Sequence, residues 1–357
     1  MKRLRPGERS LLLARLAAQG LSGAPAAGPL EVTRRLLAVQ AQDPRGARLA
    51  VRARSASPHA SDLDRALTED RSLVITWVNR GTLHLIAAED EPLLHALTTP
   101  QLRTGSDRRL AQEGVSPAAL DRGIDAIVKA LGAEGPMTRD RLREVLDAIG
   151  VPTARQALVH ILYRATLDGL IVRGPMIGSE HAFVLRADWL GERPRVDRDR
   201  ALAELARRYL VGHGPADDRD LAKWAQLPLR DARAALSAIA SELHERPDGL
   251  VDVRRDDADA GLLPSPRLLG PFDPLLLGWC SRELVLGDVQ GVVTINGIFK
   301  AIALIGGRAV GTWSMPGGRV ELSLWVQPSR TAAAALRRDA DAVHAYLSPL
   351  PAGRGVA

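Results

Sequence analysis

Apolar residues recur at helical spacing over residues 7–19 and again over 29–42, with the Gly/Ala/Pro-rich stretch 20–28 between them, so the chain is expected to open with two helices joined by a turn. Residues 46–54 and 61–69 repeat the spacing over shorter runs, the second behind Ser61 as an N-cap. At Leu73 the period changes. Residues 73–78 and 82–86 are rich in β-branched and apolar side chains on either side of Asn79-Arg80-Gly81, which predicts a hairpin. Helices followed by a hairpin is the order of a winged helix.

The same order returns twice. Ser116 caps a helix expected to reach about Leu131, Gly135-Pro136-Met137-Thr138 opens a second, residues 154–168 form a third, and Gly169-Leu170-Ile171-Val172 leads into a wing that returns through 181–185. Residues 199–210, the segment from Gly214-Pro215-Ala216-Asp217 and residues 229–243 repeat the helices, and Gly249-Leu250-Val251-Asp252-Val253 repeats the wing. From Gly-Pro to Gly-Leu the two copies differ by a single residue in length, which marks tandem units. After Ala260, short β-rich runs at 292–295, 298–304, 309–314 and 320–326 alternate with Asn296-Gly297, Gly306-Gly307 and Pro316-Gly317-Gly318, the pattern of an antiparallel meander. An amphipathic helix over 330–347 and a Pro/Gly tail expected to fray close the chain. The predicted fold class is α+β, with winged-helix units at 1–112, 113–192 and 193–258 and a β-rich module at 259–357.

Composition narrows the partners. The 357 residues are 46% apolar and 25% charged, enough for two or three modules with real cores, and the formal net charge of +6 favours a polyanion. Among 48 basic residues only Lys2, Lys129, Lys223 and Lys300 are lysines. Arginine suits bidentate phosphate contacts, although an Arg- and Ala-rich coding bias accounts for the same composition equally well. The single cysteine, Cys280, excludes an internal disulfide framework and a thiolate zinc site and is expected to be a buried, inert thiol. The apolar run at 11–19 is broken by Arg15, and no run reaches membrane-spanning length, so neither a signal peptide nor a membrane partner is expected and the protein is expected in the cytoplasm.

The candidate chemistry begins at Leu36-Leu37-Ala38-Val39-Gln40-Ala41-Gln42-Asp43-Pro44, where two glutamines flank one alanine before a proline. On a helix, side chains two apart point to nearly opposite sides, and in extended chain they share a side. Pro44 disfavours helical geometry at Asp43, so a helix stop nearby would let Gln40 and Gln42 face one cavity. Winged helices touch DNA through a helix and the wing, and also serve as protein-protein modules. Candidate phosphate contacts are Arg103, Arg108 and Arg109 after the first hairpin, and Arg141, Arg143, Arg155 and Arg164 in the second unit; solvated helix faces explain each one singly. His84 alternates with Leu83 and Leu85 in a predicted strand, as a hydrogen-bonded structural histidine does. His160 and His181 have no partner at metal-ligand spacing, and neither a Gly-rich phosphate loop nor Gly-x-Ser-x-Gly is present, so no metal site and no ordinary serine hydrolase is expected.

Four segments in order resemble one family: residues 34–42, Val78-Asn79-Arg80-Gly81-Thr82-Leu83-His84-Leu85, Pro271-Phe272-Asp273-Pro274-Leu275-Leu276-Leu277-Gly278, and Asn296-Gly297-Ile298-Phe299 with Gly311-Thr312-Trp313. Together they are similar to the AlkZ/YcaQ-like winged-helix DNA glycosylases over nearly the whole chain. The resemblance implies tandem winged helices around a concave DNA channel, and excision of bulky alkylated purines, including guanines alkylated or cross-linked at N7 by natural-product genotoxins. One branch of the family carries a catalytic Gln-x-Gln, which falls on Gln40 and Gln42; the other has a carboxylate at the second position, where this chain has Gln42, and Asp43 is one residue out of register. Arg80, Thr82 and His84 are the weaker candidates for DNA contact from the first hairpin.

On this resemblance the expected partner is damaged double-stranded DNA, met by a nucleoid-associated monomer without cofactor. The expected activity is monofunctional, because a lyase step needs a Schiff-base lysine and none of the four lysines lies near the glutamines in sequence. The alternative is a non-catalytic DNA-binding regulator, in which the two glutamines would be ordinary polar residues at a helix end.

Overall fold

The computed structural model describes residues 3–253 and 263–348; Lys2 and the Pro/Gly tail expected to fray lie outside the described residues. The chain opens with α1 (Pro6–Ala18), α2 (Pro29–Leu36), a two-residue strand β1 (Val39–Gln40), α3 (Pro44–Arg52) and α4 (Ser61–Thr68). The hairpin β2 (Leu73–Val78) and β3 (Thr82–Ala87) follows, then α5 (Glu91–Thr98) and α6 (Pro100–Gln112). The first repeat comprises α7 (Pro117–Glu134), α8 (Arg139–Asp147), α9 (Ala157–Leu167), β4 (Ile171–Ile177) and β5 (Glu180–Leu185), and α10 (Arg186–Leu190) leads out of it. The second comprises α11 (Arg198–His213), α12 (Asp218–Ala225), α13 (Leu229–Ala238), β6 (Leu243–Glu245) and β7 (Val251–Val253). The last part holds β8 (Arg267–Leu269), α14 (Glu283–Leu286), β9 (Ile302–Ile305), β10 (Arg308–Ser314), β11 (Glu321–Leu324) and α15 (Arg330–Leu347).

Two compact units emerge. The first joins Met1–Leu63 to Leu202–Ala357, and the second is Asp64–Ala201. In the second unit β2 and β3 pair in unbroken antiparallel register, and β2 also pairs with β4 through Ile75 and Arg173, so the strands run in the order β3-β2-β4-β5. Sharing a sheet buries both faces of β2, all six of whose residues are buried. It also covers α9, whose Leu158, Ile161, Leu162 and Ala165 are at most 1% exposed. Glu91 at the start of α5 anchors the end of the unit by accepting from Arg186 at 3.0 Å and Arg193 at 2.5 Å.

The first unit carries the second repeat and the β-rich part. Its sheet runs β11-β10-β9-β8, all antiparallel, and α15 lies on it, with Leu336 and Val343 packed among Leu268, Ala303, Val310 and Trp313. Leu49 of α3 joins that cluster, which ties the N-terminal helices to the C-terminal sheet. Each repeat, in its own unit, adds the same bridge: Met137 after Gly135-Pro136 pairs with Phe183 of β5, and Ala216 after Gly214-Pro215 pairs with Val251 of β7.

Several expected boundaries move. The third helix of the second repeat stops at Ala238 rather than Leu243, because Leu243 is taken into β6. The meander is regular only from Ile302. Upstream, Val293 and Phe299 form an isolated bridge around a turn whose Ile295 is fully exposed and Ile298 half exposed, so no buried face fixes strands there. Cys280 is exposed, not buried, because it lies where the chain leaves a short turn and meets α12. Its thiol donates to the Arg219 carbonyl, and partial burial followed by the Asp220 carboxylate raises its pKa, so the thiol stays protonated.

Candidate active site

Helix α2 stops at Leu36, not at Gln42. Leu37 takes φ +62° and ψ −42°, and the Ala38 N–H donates to the Leu36 carbonyl at 2.7 Å, a three-residue turn of the strained kind. Leu37 is fully buried, and that packing holds the turn where an isolated peptide would relax it. The chain then runs extended through Val39 and Gln40. Asp43 caps α3 by accepting from the Gly46 N–H at 2.9 Å, and Pro44 is the first residue of that helix. Pro44 therefore starts a helix as well as barring one. Gln40 ends 6% exposed and Gln42 exposed, in non-helical chain on both sides of Ala41.

The loop is held from behind at both ends. Arg35 donates to the Ala17 carbonyl at 3.0 Å and Arg208 to the Arg34 carbonyl at 3.0 Å, while Gly212 sits so near the Arg35 carbonyl that an added Cβ would stand 2.3 Å from its oxygen. On the other side, a Cβ on Gly46 would stand 2.4 Å from the Pro271 carbonyl oxygen, so only glycine lets α3 approach there. The Pro271-Phe272-Asp273 segment then closes a buried clamp. Arg54 donates to both Asp273 oxygens at 2.9 and 2.7 Å, to the Gln19 carbonyl and side-chain oxygen at 2.8 and 3.0 Å, and to the Ala50 carbonyl at 3.0 Å. Every donor of the guanidinium is thus used, as a buried charge requires.

Beside the loop lies a cavity of about 360 Å³ bordered by Asp43 and Arg45 of the α3 entry, Phe299, Lys300 and Thr312. Two of the four motifs line it, one through Pro271 and the other through Ile298, Phe299, Thr312 and Trp313, and the glutamine segment adjoins it through Asp43. Trp313 donates its indole N–H to the Leu269 carbonyl at 2.9 Å, the Phe299 ring lies 5.8 Å from that of Phe272, and the Arg282 guanidinium lies over the Phe299 ring at 4.9 Å. Sequence distance hid Lys300: the fold brings this lysine to the cavity that Asp43, the residue after Gln42, borders. Its one signal in the sequence was its place directly after Asn296-Gly297-Ile298-Phe299.

The fourth motif belongs to the second unit. His84 is 1% exposed; its Nδ1 donates to the Thr82 carbonyl at 2.9 Å, which leaves Nε2 facing the Arg80 guanidinium at 3.4 Å. Burial, reinforced by the Arg80 charge, lowers the His84 pKa to about 3, so the ring is neutral. Asn79 is fully buried at φ +52°, with its N–H donating to the Thr98 hydroxyl at 2.9 Å. Most of the candidate arginines face carboxylates: Arg103 with Asp168 at 3.0 Å, Arg155 with Glu113 at 3.3 Å, Arg141 with Glu134 and Glu144, Arg143 with Asp140, and Arg164 with Asp107 and Asp168. Arg109 donates to Gln112 at 3.2 Å, and Arg108 is exposed with no carboxylate in ion-pair range among the described residues.

Among the described residues no group of three His, Cys, Asp or Glu side chains could hold a metal ion, and no helix is long and apolar enough to cross a membrane. The family model for AlkZ-like DNA glycosylases matches residues 33–348. The chain belongs to the AlkZ-like DNA glycosylase family. A relative, the interstrand DNA cross-link repair glycosylase of Streptomyces sahachiroi, is 30% identical over 316 residues, which cover 80% of this chain and 81% of the relative. The solved structure of the Streptomyces sahachiroi DNA glycosylase AlkZ superposes with a TM-score of 0.77 at 26% identity, covering 96% of this chain and 98% of that one. The AlkZ-like match takes in both glutamines and all four motifs, and the helical and sheet architecture is that of the AlkZ structure.

Proposed function

We propose that this chain is a monofunctional DNA glycosylase that removes bulky N7-alkylguanines and unhooks interstrand cross-links in duplex DNA, in base excision repair and resistance to natural-product genotoxins. The observation that carries the reading is the early stop of α2, which leaves Gln40 and Gln42 in non-helical chain, the first buried and the second exposed. The chemistry asks little more. An N7-alkylguanine is cationic, so its glycosidic bond is weakened and the base departs neutral. What remains is to hold a water at C1′ and to stabilise an oxocarbenium-like sugar, which is positioning more than strong base catalysis. A glutamine amide offers one acceptor and two donors for that water. Asp43 spends one carboxylate oxygen on the α3 cap, which suits a support of the loop better than a general base. The tandem helix and hairpin repeats, read as winged helices, supply the duplex contacts, and a bulky adduct is met from the groove side instead of by full rotation into a small pocket.

The test is duplex DNA carrying one N7-alkylguanine, assayed for abasic sites and for borohydride-trapped protein. Wild type should generate abasic sites without trapping. Gln40→Ala with Gln42→Ala should bind the duplex yet release base about 10²–10⁴-fold more slowly. Equal release by the double variant would remove the glutamine assignment, trapping lost in Lys300→Ala would replace the monofunctional reading, and tight binding of one undamaged sequence without base release would favour a regulator.

A further inference from the structure

We propose that the cavity beside the glutamine loop receives the substituent of the alkylated base, so that lesion bulk is read by the first unit through the walls of α3, β10 and the 298–301 segment. The inference rests on the glycosylase reading above and adds to it a place where the adduct goes.

Position comes first. Asp43, the residue after Gln42, borders the cavity, so a group carried by a base at Gln42 has this space as its neighbour. Size comes second: about 360 Å³ lies within the roughly 300–1,000 Å³ of small-molecule sites and far exceeds what a methyl group needs. Leu49, Phe299, Ala301, Met315 and Leu347 supply the apolar part of the walls, and the unbranched thioether of Met315 can adapt to different shapes. The polar side chains on its border are Asp43, Arg45, Lys300 and the hydroxyls of Thr312, Ser314 and Ser323, which offer hydrogen bonds to polar atoms of a substituent. Thr312 pairs with Ser323 across β10 and β11, and Ser314 lies two residues along on the same face, so the three form one side of the cavity. Exposed Arg45 and Lys300 bring positive charge to the mouth, where a DNA backbone would pass. The walls are fixed before any ligand arrives, since Trp313 is pinned to Leu269 and Gly46 abuts Pro271.

The experiment fills the cavity from its exposed side with Ser314→Trp and, separately, Ser323→Trp. Three duplexes are compared: unmodified, with N7-methylguanine, and with a guanine carrying a fused-ring aromatic substituent at N7. Affinity and abasic-site formation are measured for each, and circular dichroism confirms folding. Wild type should bind the bulky duplex at least tenfold more tightly than the methylated one. Each variant should reduce the bulky-to-methyl ratio at least tenfold, in affinity and in release. No wild-type preference for the bulky duplex overturns the proposal, and so does an unchanged ratio in both folded variants. If both lesions are lost together, the cavity takes the base itself and the proposal is also overturned. A wild type that releases neither base removes the glycosylase reading, and the affinity ratio still decides the cavity.

Discussion

The loop at residues 37–43 and the turn at 79–84 are built alike and end differently. Each carries a non-glycine residue at positive φ, Leu37 at +62° and Asn79 at +52°, and each of those residues is fully buried. In the loop the strained turn is followed by buried Gln40 and exposed Gln42, whereas in the hairpin Asn79 is buried, Arg80 and Thr82 are half-buried, and His84 is 1% exposed and neutral. Positive φ and motif-like composition are therefore shared by both, and the exposure of Gln42 separates them.

The strongest way to break this comparison is to remove the support behind the loop. Asp273→Ala leaves Arg54 charged in a site where both side chains are at most 1% exposed, with Gln19 and Ala50 as its remaining acceptors. An uncompensated buried charge costs about 3–5 kcal/mol, and urea denaturation should show a loss of that size. A loss below about 1 kcal/mol would show that water reaches Arg54 in the variant and that the loop does not depend on the clamp. The Pro-Phe-Asp motif would then need another reason to exist.

What was legible in the sequence follows the same division. The β2–β3 hairpin and α15 fall on the expected residues within one position, because local period and turn chemistry decide them. Helix α2 was overrun because Leu36-Leu37-Ala38-Val39 continues an apolar pattern that a helix would also bury; the turn at Leu37 is imposed by packing, which no window of sequence contains. Helices α5 and α6 were missed because Pro92 and Pro100 punctuate short runs, and α6 carries Gly105 amid polar residues. At the candidate site the glutamine pair was visible through resemblance alone. Arg45 and Lys300, which share a cavity with Asp43, came together only when the fold closed α3 against the 271 segment.

A second test bears on the hairpin. Folded His84 holds a proton only below about pH 3, against an ordinary value of 6.5, so between these values the unfolded chain binds the proton and the folded chain does not. Stability from this residue is whole above pH 6.5 and is lost as pH falls toward 3, at up to about 1.4 kcal/mol per unit. From pH 6.5 to 4.5 the wild type should lose on the order of 2 kcal/mol more than His84→Gln, measured by denaturation at each pH. Parallel profiles would mean that His84 reaches water readily, and the inward-facing half of the comparison would fail.

The smallest expected effect asks whether the second unit contributes to DNA binding by charge alone. On α6, Arg103 is held by Asp168 at 3.0 Å, whereas Arg108 is exposed without a carboxylate in ion-pair range among the described residues. A phosphate contact releases counterions, so removing one lowers the salt dependence of binding by about one unit of slope. Arg108→Ala should therefore flatten the slope by about one and weaken binding roughly threefold to tenfold at moderate salt, and Arg103→Ala should do less because Asp168 already answers its charge. Fluorescence titrations at several salt concentrations separate the cases. Equal slopes for the two variants would show that DNA displaces Asp168 from Arg103, and no change in either would leave the second unit without a backbone contact on α6. The loop would then have to hold the duplex as well as act on it, and access to solvent would no longer be enough to tell the two regions apart.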